Sequence, residues 1–158
     1  MSKAFTKEGE NDGVDDVAPV DEWPTGVKNY LTPAGLADLK RRIDAERETA
    51  HDEGRRKLQH EQRLAALLRR LEAAEVIDPA TQPRDVARFG ATIATRNDAG
   101  RERRWRIVGV DEADPRRGCI SWRSPVAAAL TGRRVGDVTT VHTPTGDEEL
   151  EITAIEYE

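Results

Sequence analysis

The chain has 158 residues, of which 35% are charged, 37% hydrophobic and 4% aromatic, with a formal net charge of -5. Such a composition leaves too little apolar material for one large core, and favours one or two small modules with much solvent-facing helix. The whole excess of acid lies before Val27, where Glu8, Glu10, Asp12, Asp15, Asp16, Asp21 and Glu22 outweigh Lys3 and Lys7. The rest is balanced, which argues against sequence-specific or bulk-charge binding to duplex DNA and for a protein partner.

No run approaches the roughly 20 apolar residues of a membrane span, and the polar start lacks the apolar core of a secretory signal, so a cytoplasmic protein without membrane contact is expected. The lone Cys119 excludes an internal disulfide. No Cys/His cluster has the spacing of a zinc site, and His51, His60 and His142 are scattered, so no metal and no cofactor are expected.

In chain order, residues 1–27 read as an acidic disordered tail, interrupted by Gly13, Pro19, Pro24 and Gly26 and poor in large apolar groups. A helix starts at Thr32-Pro33, where the hydroxyl caps free amides and the proline loses no needed donor. Leu36, Leu39 and Ile43 give it an apolar stripe at three- and four-residue spacing. Gly54 marks a turn between His51-Asp52-Glu53 and a second helix, whose predicted apolar side is Leu58, Leu64, Leu67, Leu68 and Leu71.

Two adjacent helices over 28–78 pack most simply as an antiparallel coiled-coil hairpin. The second carries Arg55, Arg56, Lys57, Arg63, Arg69 and Arg70, a basic face that suits RNA or an acidic protein surface, or is plain solvated surface balanced by Asp38, Asp44, Glu46 and Glu48. A linker over 79–87 precedes a module over 88–158 in which the period changes to alternation. Strands are predicted from Phe89, over Arg103 to Val110, Cys119 to Arg123, Val138 to Thr143 and Glu149 to Tyr157, with turns at Asp98-Ala99-Gly100 and Thr145-Gly146-Asp147. Ser124-Pro125 caps a short helix that Gly132 ends. The fold class is α+β: a helical hairpin, then a small antiparallel sheet with one short helix.

Phe89-Gly90-Ala91-Thr92, Arg106-Ile107-Val108-Gly109-Val110-Asp111-Glu112-Ala113-Asp114 and Ile120-Ser121-Trp122-Arg123-Ser124-Pro125 resemble, in order and spacing, strings of the Gre transcription elongation factors. The likeness continues through Ala128 to Asp137, Thr143-Pro144-Thr145-Gly146 and Ile155-Glu156-Tyr157. Upstream, Lys28-Asn29-Tyr30-Leu31-Thr32-Pro33-Ala34-Gly35 is similar to the start of the first helix in GreB-type members, and Val76-Ile77-Asp78-Pro79 to the end of the second.

The resemblance implies an FK506-binding-protein-like C-terminal module that docks on bacterial RNA polymerase near its secondary channel, around Arg123, Ser124 and Pro125. The hairpin would point into the channel; contact with transcript RNA is an expectation that rests on the basic face of the second helix. Two departures stand out. The family's acidic, magnesium-holding tip motif is absent, and each hairpin arm is shorter by roughly eleven residues, or about 17 Å at 1.5 Å per residue.

Only Asp52 and Glu53 stand near the turn, and two adjacent carboxylates alone make a weak cation site. The expectation is therefore a polymerase-binding elongation regulator that is not itself an enzyme and lacks strong stimulation of transcript cleavage. The alternatives are a cleavage factor that uses Asp52 and Glu53, or a polymerase-binding protein of the regulator of nucleoside diphosphate kinase type. A peptidyl-prolyl isomerase is a weaker third, because fold alone does not carry activity.

Overall fold

The computed structural model describes residues 22–49 and 54–158. Its first element is a short strand, β1 (Asn29–Leu31), followed by α1 (Pro33–Glu48) and α2 (Arg55–Glu72), then β2 (Ala74–Val76). Thr32 caps α1 as its chemistry dictates, its hydroxyl accepting from the Gly35 amide at 3.1 Å, with Pro33 in the first turn. The two helices pack through Leu31, Leu39 and Ile43 with Leu36, Leu64, Leu67, Leu71 and Ala74 against them.

Leu64, Leu67 and Leu71 thus occupy the predicted seam. Leu58 and Leu68 do not: they are 55% and 37% exposed, because at 100° per residue they project away from the face that carries Leu67 and Leu71.

A feature the sequence did not announce closes the base of the hairpin. β1 and β2 pair in parallel, with Asn29 opposite Ala74 and Leu31 opposite Val76. The buried Asn29 side chain adds a bond from Nδ2 to the Arg70 carbonyl at 3.0 Å. Both strands are three residues long, too short for an alternation signal.

The second half forms one five-stranded sheet from β3 (Thr92–Asn97), β4 (Glu102–Val108), β5 (Cys119–Ser121), β6 (Val138–Thr143) and β7 (Gly146–Glu156), in the order β5-β4-β3-β7-β6. Pairing is antiparallel except between β4 and β5, which run parallel. The short helix α3 (Pro125–Leu130) lies between β5 and β6 in the chain and buries Ala127 and Leu130 in a core with Ala87, Ala91, Ile93, Ile107 and Ile152.

The register of β7 shifts where Ala94 pairs with Ala154 and Thr95 with Ile152. The extra residue, Thr153, moves the alternation by one, so Ile152 before it and Ile155 and Tyr157 after it serve the same core, and Leu150 is buried as well.

The segment before Ala87 is packed down rather than free. Pro79 is buried against Gly90, whose positive φ of 85° and missing Cβ let the two backbones approach. Ala87 exchanges backbone hydrogen bonds with Arg133 and Gly132 at 2.8 and 2.7 Å. Among the described residues, no helix is long and apolar enough to cross a membrane.

Candidate functional site: the joint and the docking corner

The hairpin and the sheet module meet at a joint made of named charges. Glu112 reaches back from the loop after β4 to the first turn of α1: its carboxylate accepts from the Thr32 amide at 3.1 Å, from the Thr32 hydroxyl and from the Gly109 amide at 3.0 Å. A carboxylate at a helix N-terminus meets free amides and the positive end of the helix dipole, so this contact is charge-assisted. Gly35 makes room for it, because a Cβ there would overlap the Glu112 carboxylate.

Beside it, Arg70 from α2 forms an ion pair with Asp111, and Arg42 from α1 stands 3.8 Å from the same carboxylate. The Arg70 and Asp111 side chains are only 11% and 16% exposed. Tyr30 completes the joint, its ring edge-on to Trp122 with centroids 5.0 Å apart and tilted on Phe89 at 6.1 Å.

The predicted docking residues lie immediately beyond. Arg123 is exposed, and Ser124 caps α3, its hydroxyl accepting from the Ala127 amide at 3.2 Å, with Pro125 in the first turn. Replacing Ser124 by Ala is therefore expected to cost about 1 kcal/mol in a urea melt through the lost cap. Weaker polymerase binding than that loss explains would mark a direct contact at Ser124.

The residues just before β1 join this corner. Trp23 is 8% exposed, its indole donates to the Val27 carbonyl at 2.7 Å, and the guanidinium groups of Arg70 and Arg123 lie 5.8 and 5.7 Å from its ring centre. Glu22 pairs with Arg69 at 2.9 Å. Glu22 to Val27 are therefore part of the folded molecule, contrary to the expectation that the disordered tail extends through them, because Trp23 and Glu22 find cationic partners far along the chain. The rest of that expectation, on residues 1–21, lies outside the described residues. So do Asp52 and Glu53.

The basic face of α2 is divided among several partners. Arg63 and His60 both bind Glu46 of α1, at 3.0 and 2.9 Å. Burial alone would raise the Glu46 carboxyl, but the hydrogen bonds from Arg63 and His60 outweigh it and hold it below the usual value. Arg69 and Arg70 are engaged as described, whereas exposed Arg56 and Lys57 have no acidic partner among the described residues. Nothing is described of the Arg55 side chain.

The aromatic residues of the sheet module are committed to packing. Trp105 donates to the buried Thr95 hydroxyl at 2.9 Å, while the Tyr157 hydroxyl donates to the Val86 carbonyl at 2.5 Å and accepts from the Arg88 amide at 2.9 Å. Burial pushes the Tyr157 phenol above its usual value, against the opposing effect of that amide. Phe89 and Trp122 pack on Tyr30 in the same way.

Comparison with known proteins agrees with the resemblance. Residues 82–157 match the family model described as "Transcription elongation factor, GreA/GreB, C-term". Transcription elongation factor GreB of Neisseria meningitidis serogroup B is 36% identical over 157 residues, covering 84% of this chain and 96% of that protein. GreB of Pasteurella multocida is 39% identical over 139 residues, covering 87% and 84%. GreA of Yersinia pestis bv. Antiqua is 35% identical over 149 residues, covering 92% and 94%.

A solved GreA/GreB factor from Nitrosomonas europaea is 26% identical over 82% of this chain and 98% of that one, with a TM-score of 0.44. By sequence similarity along most of its length, the chain is a member of the GreA/GreB family of transcription elongation factors.

Proposed function

We propose that this protein binds bacterial RNA polymerase through the corner at Arg123, Ser124 and Pro125, presents its hairpin to the secondary channel, and regulates elongation without strongly stimulating transcript cleavage. Family membership supports the polymerase partner and the role in elongation. The observation that carries the rest is the hairpin's length: α1 has 16 residues and α2 has 18, so the arms extend only about 24–27 Å at 1.5 Å per residue.

The resemblance implies a reach about three turns longer for a tip that serves the polymerase metal, and the acidic tip motif is missing from the sequence. A joint held by a shared carboxylate, an ion pair and ring contacts suits a regulator of this kind. It fixes the direction of a short rod, so that the rod obstructs the channel or changes the passage of nucleotides and RNA rather than searching for the catalytic centre.

The test is a pull-down with core polymerase followed by a cleavage assay on a stalled, backtracked elongation complex. Binding with little or no stimulated cleavage is expected, and the Asp52→Ala/Glu53→Ala variant should behave like the unmodified protein in both. Robust cleavage, abolished in that variant at unchanged binding, would instead restore the role of a cleavage factor acting through Asp52 and Glu53.

A further inference from the structure

The strand order β5-β4-β3-β7-β6 leaves β6 at one end of the sheet. Its backbone pairs with β7 in an unshifted antiparallel register and, among the described residues, bonds to no other segment. α3 lies against its inner side, where the Thr139 hydroxyl donates to the Ala129 carbonyl at 3.1 Å, but the edge itself is open. Proteins ordinarily guard such an edge with a charge, a proline or a bulge, because its free amides and carbonyls accept another strand. β6 has none of these: it reads Val-Thr-Thr-Val-His-Thr, six residues rich in β-branched side chains. Beside it, Val135 and Val138 are 58% and 55% exposed.

The edge is complementary to itself. With a two-fold axis through Thr140, antiparallel pairing sets Thr140 opposite Thr140 of a second copy, Val138 opposite His142 and Thr139 opposite Val141. Exposed residues then face exposed ones and buried residues face buried ones. Pairs of β-branched residues and facing threonines stabilise such a ladder. The flanks agree in sign. Arg133, ahead of β6, has no acidic partner among the described residues, whereas the chain after β6 carries Asp147 and Glu148, which are bonded to His142 and Asn97. The Asp137 carboxylate is turned onto the Arg134 amide, and Arg134 is paired with Asp85. Antiparallel pairing brings the Arg133 end of each copy to the Asp147 end of the other. The two Glu149 carboxylates, one strand in from the edge, stay about 14 Å apart, beyond the screening length at physiological salt.

We propose that β6 is a self-association edge, at which two copies of this chain pair β6 with β6 about Thr140 and join their sheets into one. A contact of six residues a side is smaller than a standard interface, so the dimer is weak and fills as the concentration rises.

The test uses the full chain alone, so its outcome leaves the polymerase reading untouched. Sedimentation equilibrium from micromolar to millimolar chain should show a rise from monomer to dimer mass. Thr140→Lys, at an exposed position, should abolish the rise without changing the urea melt. In a Cys119→Ser background, Thr140→Cys should form a disulfide-linked dimer several-fold faster than Val138→Cys, because the two Val138 positions stand about 13 Å apart in this register, out of disulfide reach. A monomer at every concentration, association that survives Thr140→Lys, or equal cross-linking of the two cysteine variants would overturn the proposal. A monomer whose β6 amides are nonetheless protected from exchange would overturn it too, by showing that a different strand covers the edge.

Discussion

Changing Arg70 to Met is expected to lower the stability of the protein by about 3 kcal/mol, the low end of the range for removing one partner of a buried ion pair. The substitution keeps an apolar stem but leaves the Asp111 carboxylate, 16% exposed, facing the joint with its main counter-ion gone. One of its oxygens is already buried without a hydrogen-bond partner. Arg42, 3.8 Å away and 45% exposed, is a weaker replacement, which is why the lower end of the range applies.

The Trp23 ring loses one of its two cations at the same time, a further cost of about 0.5–1 kcal/mol. For a chain of this length, the combined loss corresponds to a fall in Tm of roughly 7–16 °C. The coupled test is the Arg70→Met/Asp111→Asn double variant, which removes the stranded charge and should be more stable than Arg70→Met alone. An Arg70→Met variant within about 1 kcal/mol of the unmodified protein would show that the ion pair does not hold the joint.

How much of this could be read in the sequence depends on the distance over which each signal acts. The caps at Thr32 and Ser124 are local chemistry, and both are where Thr-Pro and Ser-Pro placed them. Alternation places β3, β4, β6 and β7 to within a few residues, and β6 spans Val138–Thr143 as predicted. Long-range contacts are different. Trp23 stands alone in an acidic, polar segment, and its partners Arg70 and Arg123 lie 47 and 100 residues further on, so nothing local marked it as buried.

The apolar stripe of α2 is narrower than its leucines suggest, because leucine alone does not show which side of a highly charged helix meets its neighbour. The position of Thr153 as an extra strand residue depends on the partner strand and is invisible to a fixed period of two. The candidate site divides in the same way. Arg123, Ser124 and Pro125 adjoin the joint as a group, whereas in the sequence Glu112, Asp111 and Gly35 stand out only as parts of family-like strings. The one available hint was Gly35 itself, a costly residue in the first turn of a helix, which usually signals that something approaches closely.

That glycine provides the sharper prediction, because its effect should change sign with its neighbour. In an isolated helix, Gly35→Ala would be stabilising by about 1 kcal/mol. Here the new Cβ must displace the Glu112 carboxylate, the movable end of a flexible side chain, so the steric cost is small and the real loss is in hydrogen bonds. Three donors would lose a charged acceptor: the Thr32 amide, the Thr32 hydroxyl and the Gly109 amide.

Hydrogen bonds to a charged group contribute about 1.5–3 kcal/mol each, and water at the partly open site replaces part of that, so a net loss of about 2 kcal/mol is expected for Gly35→Ala. Removing the carboxylate first reverses the balance. In a Glu112→Ala background, the same Gly35→Ala change no longer displaces an acceptor and should raise stability by about 0.5–1 kcal/mol. A double-mutant cycle by urea denaturation measures the coupling directly. Equal effects of Gly35→Ala in both backgrounds would mean that Glu112 does not hold α1 to the sheet module. The predicted reversal would identify a single carboxylate, accommodated by a missing Cβ, as the contact that aims the hairpin.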